Sequence, residues 1–165
     1  MNRKVTAVSG RFVALVVCAW LAGCGQADQD FCQYLSLAEA QQFDPDISDA
    51  NMRQTNGLLY CVWGDGKSDR LFISLDRAMD YKAVDFLSVV AKNSPEPDEE
   101  LIRLFGIGTD AAALFLGEND EMQLDFLVVQ NRDYSVTIRA RDVTSSDSPE
   151  FEQLKEIAAT VLSRL

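Results

Sequence analysis

Met122-Gln123-Leu124-Asp125-Phe126-Leu127-Val128-Val129 and Tyr134-Ser135-Val136-Thr137-Ile138-Arg139-Ala140-Arg141 are the two stretches on which the fold turns. In the first, Met122, Leu124, Phe126 and Val128 alternate with Gln123, Asp125, Leu127 and Val129. In the second, Tyr134, Val136, Ile138 and Ala140 alternate with Ser135, Thr137, Arg139 and Arg141. A period of two sends alternate side chains to opposite faces, so both stretches read as half-buried antiparallel strands. A three-residue loop, Asn131-Arg132-Asp133, pairs Phe126 with Ile138 and Asp125 with Arg139, keeping the even-numbered residues of both strands on one face. Asn and Asp tolerate the left-handed conformation that such a loop needs. Arg139 and Arg141 then project from the face opposite Phe126 and Ile138. Left open, that face makes them a candidate contact patch; covered by a helix, it leaves Asp125 as the nearest partner for their charge.

Working outward, Ser148-Pro149-Glu150 supplies an N-cap, a proline at the first helical position and an acid near the positive helix end. Phe151, Leu154, Ile157, Ala158, Val161, Leu162 and Leu165 then form one apolar stripe, the mark of a helix lying on a core. Upstream, Gly117-Glu118-Asn119-Asp120-Glu121 reads as a turn and Ala112–Leu116 as a short buried strand. Gly106-Ile107-Gly108 feeds that strand as a tight backbone turn. Ser94–Glu100 reads as an acidic surface loop containing Pro95 and Pro97, with Leu101–Phe105 leading out of it. Met79–Asn93 carries Ala83, Phe86, Leu87, Val90 and Ala91 at helical spacing. Leu58–Trp63 is β-prone and almost wholly apolar, which reads as a central strand, and Leu71, Ile73 and Leu75 continue from it as a hairpin. Ahead of it, Asp46–Gly57 reads as a polar loop. Ser36-Leu37-Ala38-Glu39 has the form of a capping box, with Leu35 placed to staple onto Ala40, so a first helix is expected over Leu37–Phe43. The expected fold is α+β, an antiparallel sheet with packed helices in the order α-β-β-α-β-β-β-α.

The N-terminus has a different character. Arg3, Lys4 and Arg11 precede the ten-residue apolar run Phe12–Leu21, too short to cross a hydrocarbon layer of about 30 Å. Leu21-Ala22-Gly23-Cys24 closes it, and the whole resembles a bacterial lipoprotein signal, cut before Cys24 so that this cysteine carries the lipid. The expected division is a signal peptide over residues 1–23, a lipidated tether over 24–30 and a single domain over 31–165. The expected location is the bacterial cell envelope. In a Gram-negative cell, Gly25 after the cysteine points to the outer membrane, facing the periplasm, by resemblance to the usual sorting pattern.

Cleavage would leave 142 of the 165 residues and remove three of the 15 basic residues but none of the 26 acidic ones, for a mature net charge of −14. A chain so acidic is unsuited to nucleic acid and is repelled by anionic lipid surfaces. The expected partners are the membrane, through the lipid on Cys24, and an envelope protein. Of the four cysteines, Cys18 leaves with the signal and Cys24 takes the lipid, so Cys32 and Cys61 remain. In an oxidising compartment a disulfide is the default for such a pair, worth on the order of 3 kcal/mol for its loop length. Two buried free thiols are the alternative.

Catalytic chemistry finds little to use. The chain has no histidine and no G-x-S-x-G nucleophile motif. Gly106-x-Gly108 lacks the third glycine of a dinucleotide fingerprint, and Glu118-Asn119-Asp120-Glu121 lacks the spaced acids of a calcium loop. Acidic pairs such as Asp65/Asp69 and Glu99/Glu100 read as solvated surface, and Trp63 as core. No cofactor, metal or catalytic residue is expected.

Cys32, the Cys61-Val62-Trp63 strand, Gly106-Ile107-Gly108-Thr109-Asp110-Ala111 and the amphipathic C-terminal helix together resemble a family of small bacterial envelope lipoproteins, best known from actinobacteria and without an assigned function. The resemblance covers residues 32–165 and implies a compact α+β fold similar to the Mog1/PsbP-like sandwich, with a Cys32–Cys61 bridge. It implies no catalytic residues. Two roles follow as expectations: a non-enzymatic lipoprotein that docks a partner or organises the envelope, or a carrier or sensor for a small ligand or lipid. A sizeable apolar cavity marks the carrier, and a filled core with an exposed patch marks docking.

Overall fold

A computed structural model describes residues 31–55, 58–118 and 121–165. The proposed signal, tether and lipid site Cys24 lie outside the described residues. A 3₁₀ turn, Phe31–Tyr34, leads into α1 (Leu37–Phe43), followed by β1 (Asp49–Thr55), β2 (Leu58–Gly64) and β3 (Asp69–Arg77). Then come α2 (Ala83–Lys92), β4 (Asp98–Leu104), β5 (Asp110–Glu118), β6 (Glu121–Gln130), β7 (Tyr134–Ala140) and α3 (Pro149–Ser163). The seven strands form one antiparallel sheet in the order β1-β2-β3-β7-β6-β5-β4. The class is α+β.

Two apolar clusters lie on opposite faces of this sheet. The larger joins Trp63, Ile73, Phe115, Leu127, Val136 and Ile138 to Leu35 and Ala40 of the α1 region and to the α3 stripe Phe151, Leu154, Ala158 and Val161. The smaller sets Ala83, Leu87 and Ala91 of α2 on Ala112, Leu114 and Val128. Each large apolar side chain buried in this way contributes about 1.5–3 kcal/mol.

The element order differs from expectation by two strands, and both are edges. β1 replaces the expected polar loop before Leu58, and β4 takes up most of the expected loop and lead-in before Gly106. β1 is exposed along nearly its whole length and β4 opens with Asp98, Glu99 and Glu100. Charged, exposed edges resist pairing with other chains, and for that reason they lack the apolar alternation that announces a strand. β2 is buried over Cys61–Gly64 but exposed at Leu58, and it is second from the edge, not central; β7 holds the centre.

The β6–β7 register also departs from expectation. Leu127 faces Ile138 and Gln130 faces Ser135, so Phe126 is not opposite Ile138. The Asn131 side chain accepts the N–H groups of Asp133 (2.9 Å) and Tyr134 (2.7 Å), and its own N–H donates to the Tyr134 carbonyl. This turn needs no left-handed residue, and none of its residues has positive φ. Farther along β6 a bulge intervenes: Leu114 faces Phe126 while Phe115 faces Leu124, leaving Asp125 as the extra residue. The bulge reverses the phase, so Met122 and Leu124 join the larger cluster while Phe126 and Val128 join the smaller. β6 is apolar on both sides, and alternation alone does not set its register.

Both other helices follow their local signals. Ser36 and Glu39 form the capping box, and the Ser148 side chain accepts the Phe151 N–H. α2 begins four residues later than its periodicity suggests, and its N-cap residue, Lys82, makes no side-chain cap hydrogen bond. Its first N–H, on Ala83, is taken at 2.5 Å by Asp110, 27 residues away in sequence.

Cys32 and Cys61 are bridged, with their Cα atoms 5.3 Å apart, within the usual disulfide range. The bridge ties the 3₁₀ turn to β2. At the other end of the chain, Arg164 donates to both Glu39 carboxylate oxygens and to the Tyr34 carbonyl, clasping the end of α3 to the start of the domain. Donation from Arg164, and then from the Ser36 side chain and N–H, lowers the Glu39 pKa from 4.5 to about 2.

Cys61→Ser, or reduction of the wild type, should lower unfolding free energy by about 3 kcal/mol in urea titrations. Equal midpoints with and without reductant would refute the stabilising role. Glu39 titrates lower folded than unfolded, so its contribution is complete above about pH 4.5 and is lost as pH falls toward 2. Glu39→Gln retains a capping-box residue and should melt below wild type at pH 7, with the gap closing toward pH 2 in calorimetry.

Candidate functional site

Seven strands spaced about 4.8 Å apart make a sheet roughly 29 Å wide, whereas a helix with its side chains is about 10 Å across. On one face α1 and α3 lie over the larger cluster. On the other, among the described residues, lies α2 alone, packed on β4, β5 and β6. The β2, β3 and β7 portion of that face has no helix above it among the described residues.

This uncovered portion forms a trough of about 510 Å³. Two cross-strand rows make its floor: Tyr60, Ser74 and Thr137 in one, Phe72 and Arg139 in the next. Aromatic rings form its sides. Tyr60 and Phe72 lean together with centroids 6.4 Å apart, while Phe126 and, from α2, Phe86 pack at the edge of the smaller cluster. The Tyr60 hydroxyl lies 3.0 Å from that of Thr55. The side chains of Ser74, Thr137 and Asp76 make no hydrogen bond among the described residues, so their capacity faces the trough or solvent. Half-buried hydroxyls between aromatic walls are the makings of a recognition surface.

Arg139 stands in this trough. Its guanidinium lies over the Phe126 ring, 4.8 Å from the centroid, and donates to the Asp125 carboxylate at 2.5 Å and to the Asp125 carbonyl at 3.1 Å. Arg139 thus shares a face with Phe126, contrary to the expectation that they lie on opposite faces. The β6–β7 register is the cause: Leu127 lies opposite Ile138, so Phe126 falls on the face of Arg139. Arg141, two residues on, is exposed and forms no ion pair among the described residues. It borders two further surface hollows of about 670 and 740 Å³. The structure therefore brings Arg139 and Arg141 to one open face, the first braced by Asp125 and the second free to meet a partner's charge.

The other residues singled out by the sequence serve the fold. Trp63 is 1% exposed and belongs to the larger cluster. Asp65 accepts the N–H groups of Ser68 and Lys67, which hold its carboxyl below the usual range, and Asp69 pairs with Arg53. Gly106 and Gly108 both have positive φ, and a Cβ on Gly108 would overlap the Gln130 carbonyl, so this segment is a backbone turn. Asp120, in the Glu118–Glu121 turn, lies outside the described residues. No three Asp, Glu or Cys side chains among the described residues converge as a metal site. No helix among them is long and apolar enough to cross a membrane.

Sequence pattern alone does not single out Tyr60, Phe72 or Phe126. A signal does exist for Phe72: it falls between Leu71 and Ile73, so an aromatic ring occupies the face those two leave. For Phe126 the signal is hidden, because its face depends on the β6–β7 register, which alternation alone does not set. No protein-family model, curated protein or solved structure matches the chain.

Proposed function

We propose that the chain is a non-enzymatic lipoprotein, anchored in the bacterial envelope by lipid on Cys24, that docks a partner protein on the open half of its sheet. One observation carries the reading. Among the described residues no helix lies over β2, β3 and β7 on this face, and it presents Tyr60, Phe72 and Phe126 beside Arg139 and Arg141. Bare aromatic surface framed by charge suits a partner segment that supplies an apolar side chain for the trough and a carboxylate for Arg141. Elsewhere a net charge of −14 in the mature chain favours solubility and contact with basic surfaces.

The second reading, a small-ligand carrier, draws on a different observation. The unbonded Ser74 and Thr137 hydroxyls sit in a hollow whose size falls in the usual range for ligand pockets, about 300–1,000 Å³. Against it, the trough is an open depression on the sheet, and the large side chains Trp63, Phe115 and Phe151 fill the main core.

Labelling cells with a fatty-acid analogue should mark the wild type and miss Cys24→Ala; equal labelling would remove the anchor. A photocrosslinker at Phe72 should capture one defined envelope protein in living cells. The capture should fall at least about tenfold, the effect of 1.4 kcal/mol, in Arg139→Glu/Arg141→Glu. A co-purifying small molecule with no protein crosslink would instead favour the carrier.

A further inference from the structure

The strand register gathers several connections at one end of the sheet. Leu104 faces Ala111, Asp110 faces Gln130, Gln130 faces Ser135, Tyr134 faces Arg77 and Thr55 faces Leu58. The β4–β5 loop, the β6–β7 turn, the β3–α2 linker and the start of β2 therefore share one pole. Hydrogen bonds knit it together: Ala78 N–H to the Asp133 carbonyl, Thr109 N–H to the Gln130 carbonyl, and Ala83 N–H to Asp110. Arg103 reaches the same Asp110 at 3.5 Å.

This pole differs from the rest of the surface in two independent ways. It carries the most exposed large apolar side chain, Phe105 at 84%, together with Tyr81 at 51% and Leu58 at 42%. Ile107 anchors the Phe105 loop in the main core, and the positive φ of Gly106 and Gly108 shapes it. The pole is also close to electrically balanced. Arg77, Lys82, Arg103 and Arg132 stand against Asp76, Asp80, Asp85, Asp110 and Asp133, so most of the net negative charge lies elsewhere. The opposite end holds Asp44, Asp65, Asp69, Asp98, Glu118 and Asp142.

We infer that this pole is the membrane-facing end of the domain and seats Phe105, with Tyr81 beside it, at the headgroup level of the bilayer that holds the lipid on Cys24. The inference rests on the lipid-anchor reading. Seven residues from Cys24 to Phe31 span at most about 25 Å, so a tethered domain stays against the surface and some face must meet it. The disulfide places Cys32 beside Cys61, three residues or about 10 Å along β2 from Leu58, so the tether reaches past the pole with length to spare. Acidic faces are repelled by anionic headgroups, whereas a nearly balanced end bearing aromatic rings is repelled little. Aromatic side chains favour the interface, where a ring can be buried while polar neighbours stay wet.

The test uses mature lipidated protein in vesicles of phosphatidylcholine with a minor fraction of phosphatidylglycerol, with and without brominated acyl chains. Trp20 leaves with the signal and Trp63 is buried, so an introduced indole dominates the quenching. Phe105→Trp should be quenched about twofold by the brominated lipid and shift to the blue, as an interfacial indole does. Tyr81→Trp should follow it, and Val89→Trp, exposed on α2, should show neither change. Protein that floats with the vesicles while Phe105→Trp and Tyr81→Trp stay as unquenched as Val89→Trp overturns this orientation alone. Wild-type protein that fails to float overturns the anchor and the orientation together.

Discussion

A seven-stranded sheet has two faces to cover, and the described residues bring three helices to the task. The allocation is unequal. α1 and α3 share one face, where Cys32–Cys61 and the Arg164–Glu39 clasp hold the two chain ends together over the main core. α2, ten residues and about 15 Å long, works alone on the other. It is placed over β5, the strand richest in small buried residues, where Ala112 lets the helix approach closely. Placing α2 there leaves β2, β3 and β7 bare on that side. The open trough is the consequence of a shortage of helix, and the residues on the bare strands are correspondingly mixed: rings for partial burial, and hydroxyls and arginines for water.

One extra residue couples the core to that trough. Without the bulge at Asp125, β6 would keep a single phase from Met122 to Gln130, and Leu124 and Phe126 would fall on the same face. With it, Leu124 enters the core under α3, while Phe126 stays in phase with Val128 on the α2 side and receives the Arg139 guanidinium. The carboxylate of the bulged residue itself lands against the same guanidinium. Exposed ion pairs are worth little to stability, roughly 0–1 kcal/mol, so the Asp125–Arg139 contact matters more for where it holds the arginine than for energy.

Legibility in the sequence tracked locality. Where a structural signal resides in adjacent residues, it reads directly: the Ser36–Glu39 capping box, the Ser148-Pro149 start of α3, the Gly106–Gly108 turn and the β2–β3 hairpin all stand where their residues place them. Where the signal is long-range, it does not. Asp110 caps a helix 27 residues before it, and β1 and β4 are strands only because β2 and β5 recruit them. The β6–β7 register belongs to the same class. Alternation specifies register when one face is polar, and Leu127-Val128-Val129 is apolar on both. That three-residue apolar run was the sequence's own indication of a strand buried on two sides. Arg139 and Arg141 were therefore visible as a pair on one face, whereas the aromatic rings around Arg139 were not.

The two proposed surfaces constrain one another through the sheet. Strands run from the Phe105 pole to the acidic end, so a domain resting on that pole stands with its strands rising from the bilayer. The trough lies on a face of the sheet, parallel to the strands, and in this posture it opens sideways, along the membrane plane. Arg139 and Arg141 lie toward the acidic end of β7, whereas Tyr134 starts the strand at the pole. A partner reaching the trough would then meet Tyr60 and the Ser74 and Thr137 hydroxyls nearer the membrane, Phe72 and Phe126 level with Arg139, and Arg141 farther out, with an acidic rim beyond. Such an order favours a partner anchored in the same membrane, whose apolar contact lies close to the headgroups and whose carboxylate lies above. It disfavours a soluble polyanion, which would have to pass the acidic end to reach Arg141.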